Sequence, residues 1–396
     1  MKKTWLLGLG FFSISLGWAL YNGFVPFFLN DYLASTALIG FLMTIDNYIA
    51  LFLQPYIGNR SDRTNTRYGR RMPYLLIGIP SAALFFALIP FHTSLVTLII
   101  FMVCMNLSMA IFRSPTIALM PDITPHSKRT KANGIINFMG GCGAIIALSI
   151  GSLLYDIKAF LPFLAVSVIF LIALWIIFNN INENRDAIPY TVTPTAKIDY
   201  KMELNPPTVL LLSAIFFWFI AVQGMEALFT LYAVHALGFS KSASAFSLAF
   251  FSLSFVLSSI PSGLLGAKYG KKNIILIGIV GLIFIFILLN WAESVFILRT
   301  LLLIGGIFWA CININAYPFI VATGGEHSYG TRTGLYYLVS SVAAIISPPT
   351  LGLLIDFWGF KMLFFAAAGS MLLALACMIK VKDTETSSVS NQKLDD

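Results

Sequence analysis

Charged side chains are scarce in this sequence, at 11% of its 396 residues. A water-soluble domain of this length meets water on every side and needs a far more polar exterior, so a soluble globular protein is excluded. Cysteine is scarcer still: Cys104, Cys142, Cys311 and Cys377 all fall inside apolar runs. Their spacing fits neither a disulfide framework nor a zinc site, and they read as small packing residues. The four histidines, His92, His126, His235 and His327, lie in or near loops, with no metal-binding pair at helical spacing. The one glycine-rich run, Gly140-Gly141-Cys142-Gly143, has no Lys-Ser/Thr after it and reads as close helix packing, not phosphate binding. Paired intramembrane aspartates and a signalling domain are lacking too. These gaps argue against ATP-driven transport, a metal or aspartyl hydrolase and a receptor. Neither an enzyme nor a bound metal or cofactor is expected.

What is abundant is apolar length. Hydrophobic residues make up 58% of the chain, arranged in stretches of about 20 residues, enough to cross ~30 Å of hydrocarbon at 1.5 Å per residue. Lipid offers no partner to a backbone amide, so such stretches become helices. Spans are predicted near 5–29, 36–57, 73–91, 95–120, 134–154 and 160–180, then near 208–236, 241–265, 273–291, 294–321, 332–355 and 360–380. The expectation is an all-α membrane protein of twelve transmembrane helices in two six-helix halves. Residues 1–180 and 208–382 form the halves, 181–207 a polar linker ending at Pro206-Pro207, and 383–396 a polar tail.

The formal charge of +8 does not imply nucleic acid, because position explains it. With the N-terminus inside, only Lys158, Lys241 and Lys361 of the 25 Lys and Arg lie outside, and Arg113 and Arg299 lie within spans, leaving 20 on the inner side. This asymmetry places both termini in the cytoplasm, with the basic face on the anionic inner leaflet. Lys2 and Lys3 before an apolar run resemble the opening of a signal peptide, but no small-residue cleavage site closes the run, and an uncleaved first helix is expected.

The halves echo each other. Gly23 matches Gly224 and Gly69 matches Gly270 at an offset of 201, while Gly134 matches Gly334 and Asp156 matches Asp356 at an offset of 200. The loop after the second span reads Gly58-Asn-Arg-Ser-Asp62-Arg63-Thr-Asn-Thr-Arg67-Tyr-Gly69-Arg70-Arg71. The loop after the eighth reads Gly263-Leu-Leu-Gly-Ala267-Lys268-Tyr-Gly270-Lys271-Lys272, the same order with four residues removed and the acid replaced by Ala267. A plain basic loop explains the cations but not the ordered repeat, and a parallel internal duplication is expected.

This loop resembles the signature of the major facilitator superfamily. Gln54-Pro55, Gly58, Ser61-Asp62-Arg63, Arg67 and Gly69-Arg70-Arg71, with Gly17-Trp18-Ala19-Leu20 and Arg113, resemble the plant sucrose–proton symporters and the glycoside–pentoside–hexuronide cation symporters. The likeness is dense over 17–135 and thinner in the second half. It implies the major facilitator fold, alternating access and a sugar or glycoside substrate. In the sucrose symporters an Asp eleven residues before the matching Arg is associated with protonation; here that position is Met102, which makes Asp46 the substitute. Gly58, Asp62, Arg63, Gly69, Arg70 and Arg71 are the expected gating motif, holding the inner ends of the two halves together in one state.

A charge near the bilayer centre is costly and usually lines a cavity or finds a partner. Asp46, Arg113 and Glu226 are the candidates for ion coupling. By helical rise Asp46 stands about 6 Å above Arg113, within reach of a guanidinium if the helices adjoin, and the alternative is a permanent structural ion pair. A carboxylate beside a guanidinium keeps its charge, and one parted from it in an apolar setting takes a proton, so a change of pairing can couple proton to solute. Glu226 is either a neutral or solvated cavity acid or a structural residue, and Arg299 is read as snorkelling to the interface. Amides bond hydroxyls in pairs and aromatic faces stack on pyranose rings. The solute candidates are therefore Tyr21, Asn22, Asn47, Asn106, Asn137, Gln223, Trp309, Asn313, Asn315, Tyr336 and Tyr337, each of which could equally serve as packing or interhelical glue. The functional expectation is a monomeric bacterial cytoplasmic-membrane protein that takes up a sugar or glycoside with H⁺, Na⁺ being possible. The alternative is a proton-coupled exporter of sugars or drug-like solutes.

Overall fold

The computed structural model describes residues 2–125, 128–186, 206–322 and 329–381. His126, His327, most of the expected linker and the whole expected tail lie outside them. The described residues hold twelve helices long and apolar enough to cross a membrane. The first six are built from α1 (Lys2–Asn30), α2 (Thr36–Met43) with α3 (Ile45–Asp62), α4 (Met72–Leu88), α5 (Leu95–Ile123), α6 (Arg129–Ile157) and α7 (Leu161–Asn180). A four-residue helix, α8 (Glu183–Asp186), follows. The second six are α9 (Pro206–His235), α10 (Lys241–Tyr269), α11 (Lys271–Leu289), α12 (Val295–Ala322), α13 (Tyr329–Trp358) and α14 (Met362–Lys380).

All twelve predicted spans are present, and most helices run past their predicted ends into charged sequence such as Arg60–Asp62. The second span departs from expectation, because it is two helices meeting at Thr44. There φ is −92° and ψ 0°, and the Thr44 hydroxyl donates to the Phe41 carbonyl at 2.8 Å. Threonine offers the backbone a local partner in place of the helical ladder. The interruption puts Asp46 in the first turn of α3. Elsewhere the ends are set by ordinary chemistry: Ser94 and Thr97 form a capping box at α5, and prolines open α4 and α7.

The chain divides into two compact units. One takes the described residues through Asp186 and also Gly238–Ala249, the start of α10. The other takes Pro206–Leu237 and everything from Phe250 on. In the first unit α1 packs on α6 and α7, and α4 on α5 and α7. In the second α9 packs on α13 and α14, and α11 on α12 and α14. The same pairings in the same order bear out the internal duplication. So does the loop glycine, since Gly69 and Gly270 both have positive φ, 105° and 88°, which side chains with a Cβ resist. The glycine run on α6 is a packing surface, where a Cβ on Gly143 would overlap the Phe12 carbonyl of α1. Large apolar side chains such as Phe52, Ile260 and Phe296 stand 74–79% exposed, an arrangement suited to lipid and not to water.

Candidate functional site

The first unit gathers a polar cluster inside its bundle. Tyr21 and Asn106 are buried, and the Asn106 Nδ2 donates to the Tyr21 hydroxyl at 3.4 Å. Trp18 meets the Tyr21 ring edge-on, with centroids 5.7 Å apart. Two atoms here are buried with no hydrogen-bond partner: the Trp18 Nε1–H, a donor, and the Asn106 Oδ1, an acceptor. Asp46 is a charged neighbour of Tyr21 and of Arg113. Its Oδ1 accepts from the Asn47 Nδ2 at 3.1 Å, and its place in the first turn of α3 sets the carboxylate on positive backbone ends. Helices α3 and α5 adjoin, as contact between Asp46 and Arg113 requires. The two charges sit near each other without closing a direct ion pair, both half-buried. Asn22 is half-buried beside Tyr21 in sequence. Asn137 is exposed and its amide donates to its own helix, to the Asn133 carbonyl at 2.9 Å.

The second unit gathers a cluster of aromatic residues. Phe219 meets Trp309 at 5.6 Å and Tyr336 at 6.1 Å, both edge-on. Tyr336 meets Tyr317 at 5.6 Å and Tyr337 at 5.4 Å, and Tyr337 is 59% exposed. Phe219, Gln223 and Glu226 follow at steps of four and three on α9, one face of a helix. Gln223, Glu226 and Asn313 are half-buried. Asn315 belongs to the framework instead. Its Nδ2 donates to the Ser262 hydroxyl and carbonyl and to the Cys311 carbonyl, at 3.1, 3.3 and 3.0 Å, so this amide is a strut between α10 and α12.

The basic loop is the third cluster. Arg71 is buried; its Nε donates to Asp122 Oδ2 at 3.0 Å, and its other nitrogens reach Asp62, Ser61 and, at 3.5 Å, the Gly58 carbonyl. Arg70 donates to Asp122 Oδ1 at 2.7 Å and faces Glu183 at 3.8 Å. The Glu183 carboxylate accepts the main-chain N–H groups of Arg71 and Met72 at 2.8–3.1 Å, capping the start of α4. Burial works against the Arg71 charge, and the Asp122 and Asp62 carboxylates outweigh it, so the guanidinium is held above its ordinary range. Arg63 is exposed and only ends α3. The described bonds of this motif close within the first unit, joining α3, α4, α5 and α8 to one another. In the second unit Lys272 does the corresponding work by donating to the carbonyls of Val381 at 2.6 Å and Ile379 at 3.4 Å.

Reasoning from sequence missed Asp122, Glu183, Phe219 and Tyr317, and took Trp18 only as part of a family motif. The two acids carried a signal, because each follows directly on an apolar span at the face where basic residues gather. Phe219 and Tyr317 carried none, being ordinary in an apolar helix.

The sequence matches the Major Facilitator Superfamily over residues 7–292 and 228–395. It is 25% identical over 397 residues to the class H tetracycline resistance protein of Pasteurella multocida, covering 95% of this chain and 96% of that one. It is 24% identical over 231 residues to the isoprimeverose transporter of Lactiplantibacillus pentosus, covering 54% and 48%. It is 23% identical over 162 residues to the sucrose transport protein SUC3 of Arabidopsis thaliana, covering 35% and 27%. Among solved structures, a mutant of the nucleoside transporter NupG superposes with a TM-score of 0.77 at 15% identity, covering 96% of this chain and 100% of that one.

Proposed function

We propose, from the premise that the chain belongs to the major facilitator superfamily and is an integral membrane transporter of a small molecule, that it takes up a sugar or glycoside together with a proton. The observation that carries this reading is the pair of unmatched buried atoms beside the charged residues of the first unit, Trp18 Nε1–H and Asn106 Oδ1. One is a donor and the other an acceptor, and a buried polar atom without a partner costs about 1–3 kcal/mol. A hydroxyl, which donates and accepts, relieves both kinds of deficit when the site opens to solute. Apolar solutes relieve neither. The aromatic residues Trp309 and Tyr336 add the ring faces that pyranose rings stack on, and the sugar transporters among the partial relatives agree with this class.

In this reading Asp46 carries the proton and Arg113 governs when it does so. Solute that engages the guanidinium draws its charge away from the nearby carboxylate, the carboxylate is then neutralised by a proton, and alternating access carries both inward. Glu226 is the reserve site, and Asn47 beside Asp46 supplies oxygen should the ion be Na⁺. The protein acts as a monomer in a bacterial cytoplasmic membrane with both termini inside.

Export of a drug-like solute is the second reading, favoured by similarity over nearly full length to a tetracycline resistance protein. Counterflow in proteoliposomes with labelled mono- and disaccharides separates the two, since it needs no gradient. Exchange of one or more sugars is expected. Silence across the sugar panel with a response to lipophilic cations sinks the first reading.

A further inference from the structure

Asp46 and Glu226 are both carboxylates in membrane-spanning helices, and they differ in company. Asp46 has Arg113 for a neighbour. Glu226, on α9, is half-buried and has no hydrogen bond, ion pair or charged neighbour among the described residues. A charge in such a helix usually lines a cavity or finds a partner. The side of α9 that packs on α13 and α14 is the other one. Ser370 of α14 donates to the Phe217 carbonyl at 2.8 Å, and a Cβ on Gly224 would overlap Ser347 and Leu351 of α13. Glu226, two residues on from Gly224, is turned about 200° from it around the helix. It belongs instead to a stripe of Phe219, Gln223, Glu226 and Thr230, at steps of four, three and four. Gln223 is half-buried, with no hydrogen bond among the described residues. The Thr230 hydroxyl is buried without a partner. At the other end of the stripe Phe219 meets Trp309 and Tyr336 edge-on.

We propose that Glu226 receives a cationic nitrogen of the solute, so that the transported sugar or glycoside carries an amine. This rests on the reading that the solute is a sugar. With Asp46 holding the proton, Glu226 is left for another cation. An ammonium has three N–H donors and no acceptor, which the carboxylate and the Thr230 hydroxyl can take up together. Hydrogen bonds between ionised partners are about twice as strong as neutral ones, so this carboxylate favours an amine over a hydroxyl. By helical rise Phe219 and Glu226 stand about 10 Å apart. That span suits a disaccharide, with one ring on the aromatic residues, the amino-bearing ring at Glu226 and the Gln223 amide between. A proton alone would satisfy Glu226 and leave the Gln223 amide and the Thr230 hydroxyl as they are.

The test is isothermal titration of the purified full chain with the β-1,4-linked disaccharide of glucosamine, its N-acetylated form and cellobiose. The free amine is expected to bind about tenfold more tightly than either neutral sugar. Glu226→Gln keeps the shape, loses the charge and is expected to bring that ratio close to one, and Glu226→Asp to keep part of it. Equal binding of the three sugars by the native chain overturns the proposal and leaves the sugar reading standing. That comparison needs no variant, so it decides even if Glu226→Gln folds poorly. An amine preference that survives in a folded Glu226→Gln overturns the proposal too, as does a neutral sugar that binds when no amine does. If these disaccharides and the counterflow panel are all silent, the sugar reading has failed. Benzylamine against benzyl alcohol then decides Glu226 by itself: an amine preference lost in Glu226→Gln upholds the cationic site, and equal responses overturn it.

Discussion

Arg71 and Asp122 meet as a buried ion pair, Nε to Oδ2 at 3.0 Å, with each side chain only 4% exposed. Asp62, the acid that stands out in the sequence, binds the same guanidinium but is 54% exposed. Stripping one partner from a buried pair costs about 3–5 kcal/mol, whereas exposed pairs are worth about 0–1 kcal/mol. Asp122→Asn is therefore expected to lower the thermal unfolding temperature in detergent well below that of Asp62→Asn. In transport, Asp62→Asn is expected to slow turnover with solute binding kept. Equal unfolding shifts would show that Asp122 is not the anchor.

Gly69 and Gly270 share a left-handed backbone but not their surroundings. A Cβ on Gly69 would press into the Glu183 side chain, at 2.6 Å from its Cβ, while one on Gly270 meets nothing nearer than Asn273 Nδ2 at 3.7 Å. Both alanine variants bear a backbone penalty on the order of 1–2 kcal/mol. Gly69→Ala also displaces the carboxylate that caps α4, so its loss of stability is expected to exceed that of Gly270→Ala. Paired denaturation curves decide it.

Asp46→Asn imitates a permanently protonated carboxylate. Downhill counterflow is expected to survive, accumulation driven by a pH gradient to vanish, and the pH dependence of binding to flatten. Arg113→Lys keeps the charge and loses the planar fork, which is expected to weaken both binding and coupling. Uptake measured with a pH gradient alone and with a sodium gradient alone tests this directly. If Asp46→Asn concentrates solute as well as the native chain does under the pH gradient, the proton sits elsewhere, and Glu226 is next.

The aromatic residues and the strut separate affinity from stability. Trp309→Ala removes a stacking face and is expected to raise the half-saturation for counterflow roughly fivefold, from a stacking loss on the order of 1 kcal/mol. Asn315→Ala unties α10 from α12 and is expected to lower the unfolding temperature while half-saturation changes little. The reverse pattern would exchange their roles.

The fold was legible because lipid leaves the chain few choices. Apolar length and the repeated loop are strong signals, and both survive into the helices. The site was legible only in part. Asp46 and Arg113 stand out as charges in apolar helices, and the structure brings them near each other. That Asn315 is a strut depends on whether Ser262 lies opposite, which no local pattern encodes. The break at Thr44 was missed because a single threonine inside an apolar span is common, and its effect depends on where its hydroxyl points. Asp122 and Glu183 were passed over because acids at a basic membrane face look like solvated loop residues until their burial is seen.

The loop that recurs in both units is held down in two unlike ways. In the first, Ser61, Asp62, Arg70, Arg71, Asp122 and Glu183 bond to one another or to nearby backbone, and Gly69 must stay small to let Glu183 in. In the second, Lys272 reaches the Val381 and Ile379 carbonyls and Asn273 the Tyr269 carbonyl, and carbonyls are present whatever side chains the helix bears. A saturation library is thus expected to find the first loop the less tolerant of the two. Copies that began alike would then drift apart at unequal speed.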